Sequence, residues 1–395
     1  MGAAYLEKEA LYPGSRFRMT DTTAIRLLDG LFTPYGDAPS VPLAWQGGEP
    51  TLMGLAFFQR ITAAARARLR PGQVLDLTFQ TNGLLLDDAW CQWLAEVDAL
   101  VGLSIDGPQA LHDRYRVDAR GQGSFTAVEQ AALRLRRYGV RVNAMVTVHA
   151  GNADHPLEIY RLLTETLGFC HVQLIPVVEI RDGVVSERSV DPLGWGRFLR
   201  AVFDHWLDHD VGRVFVPQFD AALASWAGRE PDMCVFRETC GGAMVMEHNG
   251  DVYACDHFVA DEHRRGNIET QTLESMAGAT AQRRFGNDKR DTLPEQCRRC
   301  PVLFACRGEC PKNRLPTETD GALNHLCAGY LDFFTHIDRP MRVMAELLRD
   351  DRPVPAVTAL LAAEREGLPR HAPCPCESGR KYRQCHGGAG RTPGD

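Results

Sequence analysis

Eight cysteines between Cys234 and Cys327 constrain this chain more than any other feature. The centre of the run reads Cys297-x2-Cys300-x5-Cys306-x3-Cys310. Upstream lies Cys234-x5-Cys240, then Gly250-x4-Cys255, and downstream a lone Cys327. Eight thiols suffice for two four-thiolate sites, the ligand demand of an iron–sulfur cubane or of a structural zinc. Spacing alone leaves iron and zinc both open. The chain has 13 cysteines, an odd count, and most of them fall after residue 230, which argues for metal ligation over a disulfide framework.

The rest of the composition sets limits. A chain of 395 residues has room for two or three domains with real cores. An apolar share of 44% and a charged share of 24% are those of an ordinary soluble globular protein. A net charge of −7 gives no reason to expect nucleic acid or an anionic membrane as partner. No apolar run is long enough to span a bilayer. The first residues, MGAAYLEKEALYPG, lack an apolar signal core, and Leu6 stands where a myristoylation signal wants Ser or Thr. The expected compartment is the cytoplasm, where thiols stay reduced.

The first half alternates strand and helix signals. VPLAW (41–45), VLDLTFQ (74–80), ALVGLSI (99–105), VRVNAMVTV (140–148) and HVQLIPVV (171–178) read as buried strands, short and rich in β-branched residues. Segments 52–69, 89–97, 124–139 and 155–168 between them read as helices, and Thr20 or Asp21 can cap an earlier one. Alternating strands and helices imply parallel βαβ units with ligands at the C-terminal strand ends. There are too few units for a closed eight-fold barrel, so an open, partial barrel is expected. A helix over 195–210 should pack at its end. Beyond the Cys-rich region come a last helix (339–351), a Pro/Ala-rich linker near 352–373 and a basic tail. Cys91 and Cys170 fall on an expected helix and strand and should be packed, inert thiols.

Three strand ends stand out: Trp45-Gln46-Gly47-Gly48-Glu49-Pro50, Gln80-Thr81-Asn82-Gly83 and Ser104-Ile105-Asp106-Gly107-Pro108. Each taken singly reads as a turn. All three in order at consecutive strand–helix junctions suggest a ligand site, since paired glycines let a ligand approach the backbone.

With WQGGEPTLMG, QTNG, LSIDGP followed by HDRYR, CVFRETC, HNGDVYACDHFV, RGNI and CRRCPVLFACRGEC, the chain resembles the anaerobic sulfatase-maturating enzymes. These are a branch of the radical S-adenosylmethionine superfamily with a C-terminal SPASM domain, and the likeness runs from about Tyr5 to Phe334. The resemblance implies that Gly47, Gly48 and Glu49 bind the methionine amino group of S-adenosylmethionine. It puts Ser104 and Arg116 where the family contacts ribose and carboxylate. It implies two auxiliary 4Fe–4S clusters, one on Cys234, Cys240, Cys255 and Cys310, the other on Cys297, Cys300, Cys306 and Cys327. Asp256 would deprotonate the substrate side chain while a 5′-deoxyadenosyl radical takes its Cβ hydrogen and an auxiliary cluster takes the remaining electron. His257 reads as structural.

Radical initiation needs a further cluster on Cys-x3-Cys-x2-Cys. Here Tyr5-Leu6-Glu7-Lys8-Glu9 matches the stretch that follows that motif, Ala3 stands where its third cysteine belongs, and no cysteine precedes Cys91. The chain as written is expected to be inactive by itself. A truncated gene model, a degenerate homologue, or a cluster supplied by another polypeptide would each account for this. In the tail, Cys374-Pro-Cys376-x8-Cys385-His386 resembles the SEC-C motif, a zinc knuckle that docks partners; the alternative is a disordered tail with incidental cysteines.

The expected fold is α/β: a partial (β/α)6-type radical S-adenosylmethionine barrel lacking its first strand, then a cysteine-rich SPASM domain and a small zinc knuckle. The domains would be 1–225 (barrel), 226–336 (SPASM), 337–371 (helix and linker) and 372–390 (knuckle). The expected function is oxidation of a Cys or Ser of an unfolded sulfatase segment to formylglycine, with a flavodoxin or ferredoxin as electron donor. The alternative is a non-catalytic iron–sulfur/zinc protein that binds a client peptide or partner.

Overall fold

All five predicted strand segments become strands of one sheet in the computed structural model, which describes residues 11–181, 183–317, 321–369 and 371–387. The Tyr5–Glu9 stretch lies outside them. Helix α1 (Asp21–Tyr35) leads in, with the Thr20 hydroxyl accepting from the Thr23 N–H at its start. The strands are β1 (Ser40–Trp45), β2 (Val74–Thr81), β3 (Leu100–Ser104), β4 (Arg141–Val148) and β5 (Val172–Pro176). They pair in the order β1-β2-β3-β4-β5, all parallel. Parallel neighbours need crossovers. These are α2 (Leu55–Arg66), α3 (Asp88–Glu96), α4 (Phe125–Arg137) and α5 (Pro156–Arg161), the last continued by a π-helical turn, Leu162–Thr166. Phe215 adds a parallel bridge to His171 beyond the β5 edge.

The sheet curls into a half-barrel because its two faces differ. Leu43, Trp45, Leu77, Phe79, Val101 and Leu103 point outward and are buried under the helices. There Phe58 meets Phe79 at 4.9 Å and Trp90 at 5.6 Å between ring centroids. The alternate residues line the inside: Gln80, Gly102, Asn143, Met145 and Gln173, with Gln46 at the rim, surround a cavity of about 230 Å³.

Helix α6 (Pro192–His209), started by the Asp191 carboxylate on the Gly194 N–H, packs against α5. Helix α7 (Pro217–Trp226) follows. The Cys-rich domain holds a three-stranded antiparallel sheet of β6 (Val245–Met246), β7 (Asp251–Tyr253) and β8 (Arg264–Asn267), and helix α8 (Thr280–Asp291). Helix α9 (Cys327–His336) returns onto α6 so closely that a Cβ at Gly329 would lie 2.0 Å from the Pro192 carbonyl oxygen; only glycine fits.

The two domains are also joined at the front of the chain. The Tyr12 hydroxyl meets the Tyr253 hydroxyl and the Asp251 carboxylate, and Ser15 Oγ lies 2.6 Å from His248 Nε2. Arg26 pairs with Glu269. Residues 12–26 thus lie against the small sheet and its following turn.

Three expectations need correction. The linker is not one: Ala356–Glu366 forms helix α11, packed on α10 (Asp338–Arg349). Val357, Leu360 and Ala363 recur at helical spacing and are buried, and the run AVTALLAAERE is made of strong helix formers. Cys170 is exposed on a bend rather than packed in a strand, with its Sγ 3.3 Å from His171 Nδ1. Cys91 is buried as expected, and burial pushes its thiol up to about 11. The helix expected over 155–168 gives way to the π turn after Arg161.

Candidate active site and metal centres

The three unusual strand ends meet at one rim of the half-barrel. Gly47 has φ +133°, a conformation that favours glycine, and a Cβ there would meet nothing within 4 Å. Glu49 is held from four directions. Its carboxylate accepts from the Thr51 N–H (3.0 Å) and hydroxyl (2.6 Å), the Thr81 hydroxyl (2.9 Å) and the Asn82 N–H (2.8 Å). The WQGGE and QTNG turns are therefore one unit, built around a fixed carboxylate.

The third turn is built around Asp106, which is buried. Arg116 Nε and Nη2 both donate to it, and the Thr147 N–H donates at 2.7 Å. Burial pushes the Asp106 carboxyl up, but Arg116 and the Thr147 N–H outweigh it and hold the group below the usual carboxylate range. His112 braces the same turn: Nδ1 accepts the Asp106 N–H at 3.2 Å and Nε2 lies 3.0 Å from Ser124 Oγ. Arg116 thus spends one edge of its fork on Asp106, and a cofactor carboxylate would have to meet another. Ser104 ends β3 at the same rim and is nearly buried.

Across the domain boundary, Gln46 Nε2 donates to Asp256 Oδ2 at 3.2 Å. Asp256 is exposed at the surface and takes the Cys255 thiol hydrogen on Oδ1 at 3.2 Å. Desolvation raises its pKa, but the charge of His257 and the hydrogen bonds from Cys255 and Gln46 bring it below the usual carboxylate range. A carboxylate so held is ionised at neutral pH, as a proton acceptor must be. His257, read as structural, has Nδ1 3.5 Å from Cys310 Sγ.

The eight thiols fall into two groups. Cys240 feels the charge of Cys234, Cys255 that of Cys310, and Cys310 that of Cys234. Cys306 feels Cys327 and Cys297, and Cys327 feels Cys297 and Cys300. Burial is the largest cause for Cys240, Cys255, Cys306, Cys310 and Cys327, pushing Cys310 and Cys306 up to about 12. Ligation must then displace those protons. The turn between Cys306 and Cys310 separates the groups: Arg307, Gly308 and Glu309 have φ of 50°, 70° and 49°, three left-handed residues in a row. It turns the backbone sharply between Cys306 and Cys310.

The donor set distinguishes one ion from a cluster. Around a single tetrahedral zinc, thiolate sulfurs lie about 3.8 Å apart. The tail meets this: Cys374 Sγ is 3.4 Å from Cys376 Sγ, Cys376 Sγ 3.6 Å from Cys385 Sγ, and His386 Nδ1 3.2 Å from Cys374 Sγ. Among the described residues, this is the group whose ligand atoms all lie within 4.8 Å of one another. Neither set of four in the Cys-rich domain is so tight.

Two buried residues were missed. Lys289 Nζ donates to the carbonyls of Cys234 (2.7 Å), Val235 (2.8 Å) and Arg237. Glu309 accepts from Asn313 and Asn324 Nδ2. Nothing in RRFGNDKRD marks Lys289 in the sequence. Asp106 sat in one of the quoted strand-end motifs but was given no role of its own.

Comparison with known proteins agrees with this layout. The radical SAM superfamily matches residues 37–163, the SPASM iron–sulfur cluster-binding domain 234–301 and the SEC-C motif 372–388. A serine-type anaerobic sulfatase-maturating enzyme of Bacteroides thetaiotaomicron is 40% identical over 377 residues, 90% of each chain. The chain belongs to the anaerobic sulfatase-maturating enzymes. A cysteine-type member of this family from Clostridium perfringens is 32% identical over 301 residues, 74% of this chain and 80% of that one. The solved native anSMEcpe with bound AdoMet and Kp18Cys peptide superposes with a TM-score of 0.75 at 30% identity, covering 83% of this chain and 91% of that one. The sulfatase-maturating layout of half-barrel followed by Cys-rich domain is therefore the one expected from the sequence.

Proposed function

We propose that this chain oxidises a Cys or Ser side chain of a sulfatase polypeptide to formylglycine, with Asp256 as the base. The observation that carries the reading is the Gln46–Asp256 hydrogen bond, which holds a carboxylate of the Cys-rich domain against the Gly47-Gly48-Glu49 turn. Bound S-adenosylmethionine would supply the hydrogen-abstracting chemistry, and the two auxiliary 4Fe–4S clusters would take up the remaining electron. The chain's own groups do the rest. Glu49 meets the cofactor's ammonium, Gly47 and Gly48 leave its approach open, and Ser104 and Arg116 face its ribose and carboxylate. Asp256 accepts the thiol or hydroxyl proton, and Gln46 keeps that carboxylate turned to the rim. Cys234, Cys240, Cys255 and Cys310 form one ligand set, Cys297, Cys300, Cys306 and Cys327 the other, and Cys374, Cys376, Cys385 and His386 hold zinc. The unit boundaries near 225, 336 and 371 follow from these ligand sets, with the third unit helical throughout most of its length. A flavodoxin or ferredoxin would serve as donor.

A non-catalytic scaffold is not favoured, because the relatives that match over most of this chain are sulfatase-maturating enzymes. The test is anaerobic incubation of the reconstituted protein, with an upstream Cys-x3-Cys-x2-Cys loop present, with S-adenosylmethionine, dithionite and Ser- or Cys-containing sulfatase peptides. Mass spectrometry should detect formylglycine in at least one peptide. Formation of 5′-deoxyadenosine with neither peptide altered would overturn the reading.

A further inference from the structure

Lys289 is among the largest fully buried side chains of the molecule, 1% exposed, and it is a cation. A buried ammonium is costly unless it is paired or fully hydrogen-bonded. Its three N–H bonds are spent on the carbonyls of residues 234, 235 and 237. That segment carries the first of the cluster thiols. Carbonyls are neutral acceptors, so the charge acts on what surrounds it: the cysteines at 240, 234 and 310 and the buried Glu309 carboxyl. Three carbonyl acceptors around one Nζ need three N–H donors, so the group sits there as the ammonium ion. Arg314 joins it by donating from Nη2 to the Lys289 carbonyl at 2.9 Å. Substrate oxidation runs downhill only if the acceptor cluster's potential is high enough to take the electron, and a fixed positive charge in a low-dielectric interior favours the reduced, more negative cluster.

We propose that Lys289 is a positioning residue for the reaction: it pins the Cys234–Arg237 segment and raises the midpoint potential of the cluster on Cys234, Cys240, Cys255 and Cys310. The inference rests on the cluster reading of these thiols given above. The experiment is an EPR-monitored redox titration of the full reconstituted chain beside Lys289→Gln and Lys289→Arg. Gln keeps two donors for the three carbonyls and removes the charge; Arg keeps the charge. In Lys289→Gln one midpoint should fall while the other stays, and in Lys289→Arg both should stay close to those of the parent. Loss of about half the cluster iron in Gln but not in Arg would also support a role for the charge. Unchanged midpoints in Gln, or the same shift or the same iron loss in both variants, would overturn the proposal, because Lys289 would then act only through its shape. Iron and zinc analysis of the parent protein separates this from failure of the underlying reading: zinc in place of iron at the eight thiols would sink both, whatever the variants do.

Discussion

Asp256 is exposed, yet its neighbours fix its charge and direction, a combination suited to proton transfer and not needed for packing. In a chain carrying the upstream three-cysteine loop, Asp256→Ala should lower formylglycine formation by about 10²–10⁴-fold while 5′-deoxyadenosine still accumulates. Full formylglycine yield in that variant would leave Asp256 as a mere neighbour of Cys255. His112 makes a different prediction. Burial pushes its pKa down to about 4, so the unfolded chain, where histidine titrates near 6.5, binds the proton first. Its contribution to stability is present above about pH 6.5 and is lost as the pH falls toward 4. Urea denaturation at pH 7 and pH 5 should show a smaller acid loss in His112→Asn than in the parent; equal losses would place the acid sensitivity elsewhere. At this scale the sequence marked the turns that carry Glu49 and Asp256, because each sits inside a dense motif, and the structure brings those turns to one rim. Lys289 was hidden because its partners are backbone carbonyls of a segment 52 to 55 residues away, which no side-chain pattern records.

Strands were the easiest elements to read, since each is a short β-branched run closed by a turn and each is buried on its outer face. Helix α11 was missed because Pro353 and Pro355 suggested a linker, although proline before a first turn suits a helix start. Its burial has consequences. Leu360 is 1% exposed within the core that also contains Cys374, Cys376 and Tyr382. Leu360→Ala should cost about 2–4 kcal/mol and hasten zinc loss to a chelator. Unaltered zinc release, measured with a colorimetric chelator, would mean that the knuckle does not lean on α11. The knuckle is thus better regarded as seated on the C-terminal helices than as strung on a tether. Thr358 reinforces the seat by donating to the Leu207 carbonyl on α6 at 2.8 Å.

For the molecule as a whole, metal content is the most direct expectation. Anaerobic reconstitution of this chain should give about eight irons and eight sulfides from its two four-thiolate sets, and about one zinc at the tail. Treatment with a zinc chelator under mild conditions should remove the zinc first and leave the iron, because zinc is a single exchangeable ion; loss of both together would contradict separate metal systems. The order of domains was legible because each carries its own motif. Their mutual arrangement was not, since it depends on contacts such as Tyr12 with Tyr253 that join residues 241 apart. Those contacts have a kinetic meaning. The barrel is tied to the Cys-rich domain covalently after α7 and non-covalently through residues 12–26, so the two attachments close a ring. When one weak contact in such a ring breaks, its partners remain at high effective concentration and rejoin before the domains can part. Gaping of the domain boundary is thereby suppressed.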